Sequence, residues 1–207
     1  MRRTPGVACV ARRPPRSGNG HSEDLVRENP VLLFARALDF AARKHVHQRR
    51  KGELAEPYVN HLSDVARLLA EATKGEDIAV VIAGLLHDTI EDTDTTSAEL
   101  AKEFGPEIAE LVGEVTDDKT LPKAERKRLQ VETAPHKSPR ARMIKLADKT
   151  SNLHSMIASP PKDWSSQRKR EYIEWAGRVV EGCRGISPYL EREFERARGR
   201  ATAALGL

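Results

Sequence analysis

The sequence predicts an all-α protein, a helical bundle in a single domain. From Pro30 onward the apolar residues recur at helical spacing, and no convincing period-two stretch interrupts them. One segment, Ile78 to about Thr89, is apolar nearly all round, with Ile78, Val80, Val81, Ile82, Leu85 and Leu86. A helix of that kind belongs in the middle of a bundle.

The first predicted helix carries Phe34, Ala37, Leu38, Ala41 and His45 on one stripe, and Gly52 and Pro57 bracket the loop after it. The second buries Leu62, Val65, Ala66 and Leu69, and the apolar helix from Ile78 is the third. Thr96 and Glu99 have capping-box spacing and open a short helix that Gly105-Pro106 ends. Another short helix runs from Pro106 to about Val115, and Asp117, Asp118, Lys119 and Pro122 mark a polar loop. Helices are expected again near 123–133, 139–157, 165–182 and 188–204. In the penultimate one, Tyr172, Trp175, Ala176, Val179, Val180 and Cys183 follow the i, i+3, i+4 pattern. No internal repeat is present.

A chain of 207 residues suits one compact domain. Its 39% hydrophobic and 32% charged residues are those of an ordinary globular protein. No apolar run approaches the roughly 20 residues needed to span a bilayer. Cys9 and Cys183 are too few for a disulfide framework or a cysteine-rich zinc site, which fits a reducing, cytoplasmic compartment. The net charge of +4 comes from the N-terminus. Residues 1–20 hold five arginines and no acid, so 30 basic residues face 31 acidic ones elsewhere. That balance argues against nucleic acid as a partner. The composition of residues 1–29 predicts a disordered basic tail, open also to reading as a transit peptide or a misassigned start, ahead of a domain over 30–207.

The chemistry is concentrated in Leu85-Leu86-His87-Asp88-Thr89-Ile90-Glu91-Asp92. If the helix continued through Asp92, at about 100° per residue, His87, Asp88, Glu91 and Asp92 would share an arc of about 140°. Four ionisable groups at the end of an apolar helix are expensive to desolvate without partners, and a divalent cation would offset that cost. Two further candidate ligands stand elsewhere: His61, near the apolar stripe of the second helix, and Asp148, embedded in the largely apolar Lys145-Leu146-Ala147-Asp148. Together they make a two-histidine, two-carboxylate set. Nitrogen and oxygen donors without thiolate suit Mn²⁺, Fe²⁺ or another six-coordinate ion better than a closed zinc site.

The order of His61, His87-Asp88 and a distant Asp148 resembles the HD-domain metal-dependent phosphohydrolases. Flanking blocks narrow the resemblance: His45, Gln48-Arg49-Arg50-Lys51-Gly52, Glu56-Pro57-Tyr58, Leu86 to Asp94, Phe104-Gly105 and Lys145 to Lys149 are similar to the hydrolase domain of RelA/SpoT alarmone enzymes. Val115 to Lys123 and Glu125 to Gln130 look like the small, single-domain alarmone hydrolases. The likeness covers roughly residues 32–200.

The resemblance implies an HD-type helical bundle with one Mn²⁺ held by His61, His87, Asp88 and Asp148. It implies removal of pyrophosphate from the ribose 3′ position of guanosine tetra- or pentaphosphate, giving GDP or GTP. No synthetase activity is expected, because no mixed α/β segment follows within these residues. Glu91 and Asp92 would orient the attacking water or exchange protons with it, or else support the ligands. Arg50 would pack against the purine, beside Lys51 and Tyr58; Lys123, Arg168 and Tyr172 would meet the 5′-phosphates, and Asn152 would lie near the ribose. Alternatives are a phosphatase acting on the 2′-phosphate of NADPH in the same site, or a nucleotide sensor without catalysis. Two departures stand out: Leu62 where the family has proline, and Thr150-Ser151 in place of larger residues. Both are expected to reshape the nucleoside pocket.

Overall fold

A computed structural model describes residues 29–206. The expected tail lies outside the described residues except for Asn29, whose side chain accepts from the Val31 N–H and caps the first helix. Helix α1 (Pro30–Lys44) starts on proline and buries Leu33, Ala37 and Ala41. The loop after it doubles back on itself. The Arg50 N–H donates to the Glu56 carbonyl, the Tyr58 N–H donates to that of Gln48, and Arg49 and Pro57 form an isolated antiparallel bridge. Gly52 lies so close to Ser159 that an added Cβ would collide with it. The Leu54 N–H donates to Ser159 Oγ at 2.8 Å, pinning the loop across the molecule.

Helix α2 (Val59–Thr73) packs on α3 (Ile78–Leu86), in which every residue from Ala79 onward is buried. Close approach depends on Gly84, where a Cβ would strike the Leu69 side chain. The predicted continuation of this helix is where the structure departs from the sequence reading. Helix α3 stops at Leu86, and a single turn, α4 (Thr89–Asp92), follows. Asp88 sits between them at φ −99°, ψ −2°, in the bridge region of backbone space. Side chains take over two of the carbonyls: Thr89 Oγ1 donates to Leu86 O at 2.6 Å, and His87 Nδ1 donates to Gly84 O at 2.8 Å. Local side-chain hydrogen bonds of this kind compete with the helical ladder.

Beyond lie α5 (Ser97–Phe104), capped by Thr96 as its spacing predicts, and α6 (Pro106–Val115). Helix α7 (Lys123–Thr133) buries none of its residues and leads through a short 3₁₀ turn to α8 (Pro139–Ala158). Helices α9 (Ser166–Glu181) and α10 (Pro188–Ala204) complete the bundle. Helix α3 touches α1, α2, α6 and α8; α8 touches α2, α3, α6, α9 and α10. These two helices form the centre, around Leu62, Leu69, Ile82, Leu85, Leu86, Ile144, Leu146 and Leu153. Yet α8 also carries Lys145, Asp148, Lys149, Thr150 and Ser151 into that interior. Buried polar and charged groups persist only where they are partnered, and their partners define the site.

Candidate metal centre and active cleft

Three elements converge on one point: the first turn of α2 brings His61, the break after α3 brings His87 and Asp88, and the middle of α8 brings Asp148. Ligand atoms of His61, His87 and Asp88 lie within 4.8 Å of one another. His87 Nε2 is 3.1 Å from Asp88 Oδ2, and His61 Nε2 is 3.7 Å from the same oxygen. Asp148 Oδ1 completes the group at 3.4 Å from His61 Nε2 and 3.8 Å from His87 Nε2.

These donors fit a divalent cation. The Gly84 carbonyl can only accept, so the His87 proton sits on Nδ1, and Nε2, buried without a hydrogen-bond partner, turns its lone pair toward the carboxylates. Lone pairs facing one another in a buried site call for a positive charge among them. In the bare chain a proton answers that demand: burial pulls the His87 pKa down, but Asp88 and Asp148 outweigh it and push it up to about 10. A metal ion would take the proton's place. The surrounding bonds hold the ligands in position. Tyr58 OH donates to Asp88 Oδ2 at 2.6 Å, Lys149 Nζ donates to Asp148 Oδ2 at 2.8 Å, and Asn152 Nδ2 donates to Asp148 Oδ1 at 2.6 Å.

The cluster forms the floor of a cleft with two joined lobes, of about 780 and 440 Å³. Glu91 and Asp92 line its larger lobe, though from α4 rather than from a continuous helix. Each meets a cation: Glu91 Oε1 lies 3.3 Å from an Arg126 guanidinium nitrogen, and Asp92 pairs with Lys119 while accepting from Gln48 Nε2 at 2.7 Å. Burial, with the nearby charge of Asp88, raises the pKa of Glu91.

The expected substrate residues surround this floor. Arg50 stacks over the Tyr58 ring at 5.4 Å and donates to Asn152 Oδ1 at 2.7 Å, facing the smaller lobe. Lys51, Tyr58, Asn152 and Tyr172 border both lobes; Lys123 and Arg168 border the larger. Burial and the neighbouring charges of Arg168, Lys51 and Arg126 lower the pKa of Lys123.

The structure adds residues that the sequence reading left out. Trp164 and Trp175 flank Tyr172 at 5.5 and 5.4 Å, making an aromatic wall, with Arg168 over Trp164 at 4.5 Å. Lys127 and Lys149 sit over Trp175 at 4.5 and 4.6 Å. The i, i+4 spacing of Lys123 and Lys127 was a usable signal; nothing local marks Trp164, which precedes α9 in a loop. The departures expected to reshape the nucleoside pocket lie away from it. Leu62, Thr150 and Ser151 line neither lobe: Leu62 is in the core, Thr150 Oγ1 donates to Leu146 O, and Ser151 meets the far side of His61.

An all-helical bundle with histidine, histidine-aspartate and distant aspartate converging on one point defines an HD-domain protein, and the chain belongs to the HD domain family, which matches residues 37–174. Within it the chain stands with the small SpoT homologues. It is 56% identical over 159 residues to the guanosine-3′,5′-bis(diphosphate) 3′-pyrophosphohydrolase MESH1 of Homo sapiens, covering 77% of this chain and 89% of that protein. The Drosophila melanogaster protein of the same name is 45% identical over 166 residues, covering 80% and 93%. A solved metazoan SpoT ortholog, described as hydrolysing ppGpp and acting in starvation responses, superposes with a TM-score of 0.78 at 44% identity, over 82% of this chain and 96% of that one.

Proposed function

We propose that this protein is a metal-dependent hydrolase that releases pyrophosphate from the 3′ position of guanosine 3′,5′-bis(diphosphate) or its pentaphosphate counterpart, leaving GDP or GTP. The observation that carries the reading is the pairing of floor and rim. Nitrogen and oxygen donors converge within 3.1–3.8 Å beneath Lys51, Lys123, Lys127 and Arg168, none of which forms an ion pair with a carboxylate among the described residues. A cleft so arranged suits a substrate with phosphate at two ends. The human and Drosophila relatives are named for the same hydrolysis.

His61, His87, Asp88 and Asp148 would hold the cation, for which Mn²⁺ suits a donor set of two imidazoles and two carboxylates. A cation there supplies polarisation of the phosphoryl oxygen and a more acidic water. Glu91, with its raised pKa, takes the proton from the attacking water, while Asp92, held by Gln48 and Lys119, orients that water. Arg50 offers a guanidinium plane to the purine, Lys51 and Tyr58 close the site beside it, and Asn152 meets the ribose. Lys123, Arg168 and Tyr172 receive the 5′ diphosphate, and Lys127 extends that anchor.

Among the described residues no helix is long and apolar enough to cross a membrane. A free, buried Cys183 is in keeping with a reducing, cytoplasmic setting.

The test is incubation with Mn²⁺ and a panel of 3′-, 2′- and 5′-phosphorylated nucleotides, with products separated by charge. GDP and pyrophosphate should appear from guanosine tetraphosphate. Release of 2′-phosphate from NADPH with none from the 3′-pyrophosphate would replace this reading with the phosphatase alternative; tight binding of both without turnover would make the protein a sensor.

A further inference from the structure

Behind the metal centre, on the side away from the cleft, a chain of polar groups runs from His61 to the surface. His61 Nδ1 lies 2.9 Å from Ser151 Oγ, and both residues are buried, at 3% and 1% exposure. Beyond Ser151 stands the Asp64 carboxylate, one turn along α2 from His61, and the Ser151 hydroxyl is among the groups that favour its ionised form. Asp64 is gripped from outside by His154 Nδ1 at 3.0 Å and by an Arg67 nitrogen at 2.7 Å. Burial works against the charge on Asp64, but these hydrogen bonds prevail and keep the carboxyl well below the usual range. Paired in this way with a guanidinium, the carboxylate is an acceptor only.

That fixes the direction of every bond in the chain. A hydroxyl has one proton to give, and a carboxylate facing it takes that proton. The Ser151 oxygen is left with lone pairs, so the imidazole beside it must donate from Nδ1. His61 is thereby held as the tautomer whose Nε2 carries a lone pair, aimed at Asp88 and Asp148. The other histidine achieves the same result by donating to the Gly84 carbonyl. A carboxylate reaching a metal-bound imidazole strengthens it as a ligand as well as orienting it; here the contact is relayed through a hydroxyl.

We propose that Ser151 and Asp64 are positioning residues for the metal centre, acting through His61 by setting its tautomer and ring orientation. The proposal rests on His61 being a metal ligand. Neither residue lines the cleft, so their effect should fall on metal affinity rather than on nucleotide recognition.

The experiment is a titration of the full-length protein with Mn²⁺ against a competing chelator, with thermal melts of the metal-free variants alongside. Ser151→Ala is expected to weaken metal binding about 10- to 100-fold, the range seen for outer partners of ligating histidines. Asp64→Asn should fall in the same direction. Ser151→Thr, which restores the hydroxyl, should recover much of the loss, and Arg67→Ala, which touches only the outer end, should change affinity little. In a His61→Ala background, adding Ser151→Ala should have no further effect. Two results would overturn the proposal: unchanged metal affinity in Ser151→Ala, or an equal loss whether or not His61 is present. The underlying reading fails separately, if His61→Ala itself binds metal as tightly as the parent. A lowered melting temperature in the metal-free Ser151→Ala variant with normal metal affinity would make Ser151 a packing residue only, and also counts against the proposal.

Discussion

At the floor of the cleft each charged group is held by a neighbour: Asp148 by Lys149 and Asn152, Asp88 by Tyr58, Asp92 by Lys119 and Gln48. At the rim, Lys51, Lys123, Lys127 and Arg168 carry charge without an acid partner among the described residues, and Lys127 and Arg168 rest on aromatic rings instead. The floor is largely buried, and hydrogen bonds and ion pairs tie its side chains to their neighbours. The rim crowds like charges together: burial first, and then the charges of Arg168, Lys51 and Arg126, lower the pKa of Lys123, and an anion would relieve that repulsion. Two different tasks follow. On the proposed function the floor would serve chemistry at one point, where a single misplaced atom matters, whereas the rim would share an electrostatic load among several side chains.

The comparison breaks most visibly at the ligands. His61→Ala, His87→Ala, Asp88→Ala and Asp148→Ala should each weaken metal binding by more than about 100-fold, beyond the range typical of outer partners, with hydrolysis lost in parallel. Metal content after dialysis reads this directly. Asp148→Ala with full occupancy would remove α8 from the ligand set.

Next in size is Glu91→Gln, which should keep metal and nucleotide while turnover falls about 10²- to 10⁴-fold. This substitution also carries a pH signature. A carboxyl whose pKa is raised by folding favours the folded state when protonated and opposes it when ionised. Its contribution is therefore lost as pH rises through the raised pKa. The metal-free Gln variant should melt higher than the parent near neutrality, and the difference should vanish in acid. A variant that melts lower near neutrality would mean that the Arg126 contact outweighs desolvation.

At the rim the expected effect is smaller and of a different kind. Lys123→Ala or Arg168→Ala should raise KM about 10- to 150-fold, the equivalent of losing one charged hydrogen bond of about 1.5–3 kcal/mol, with kcat nearly unchanged. Lys127→Ala should move KM in the same direction by less, since two rings, Trp175 and Tyr172, already share its charge. A fall in kcat without a change in KM would place these residues in the floor's class.

The gentlest probe is salt. Raising ionic strength from about 0.1 to 1 M shortens the screening length from about 10 to 3 Å. KM should rise with it, while metal affinity at the buried floor should move far less. Equal sensitivity of both would erase the distinction between the two regions.

Much of this was legible before the fold was known, for reasons visible in particular residues. The apolar run ending in Leu85-Leu86 announces a buried helix, and placing His87-Asp88 directly after it forces the question of what they bind. Asp148 stands out similarly, as an acid within an apolar stretch. What local spacing misjudged was the helix break at Asp88, because the hydrogen bonds of His87 and Thr89 that replace the ladder depend on side-chain direction rather than on pattern. It also overlooked Trp164, which reaches the cleft from a loop, and misread Ser151, a small polar residue whose surroundings α2 supplies.

The helical class, most helix boundaries and the candidate donors that the fold brings together follow from the sequence alone, because periodicity, caps and the cost of burying charge act over a few residues. Tertiary structure alone decided which atoms of those donors meet, which cations pair with acids and which stand free, and that Ser151 faces His61 rather than the nucleotide pocket. Those outcomes depend on the crossing of α2, α3 and α8, where groups up to 90 positions apart along the chain share one buried site whose electrostatics no single segment contains.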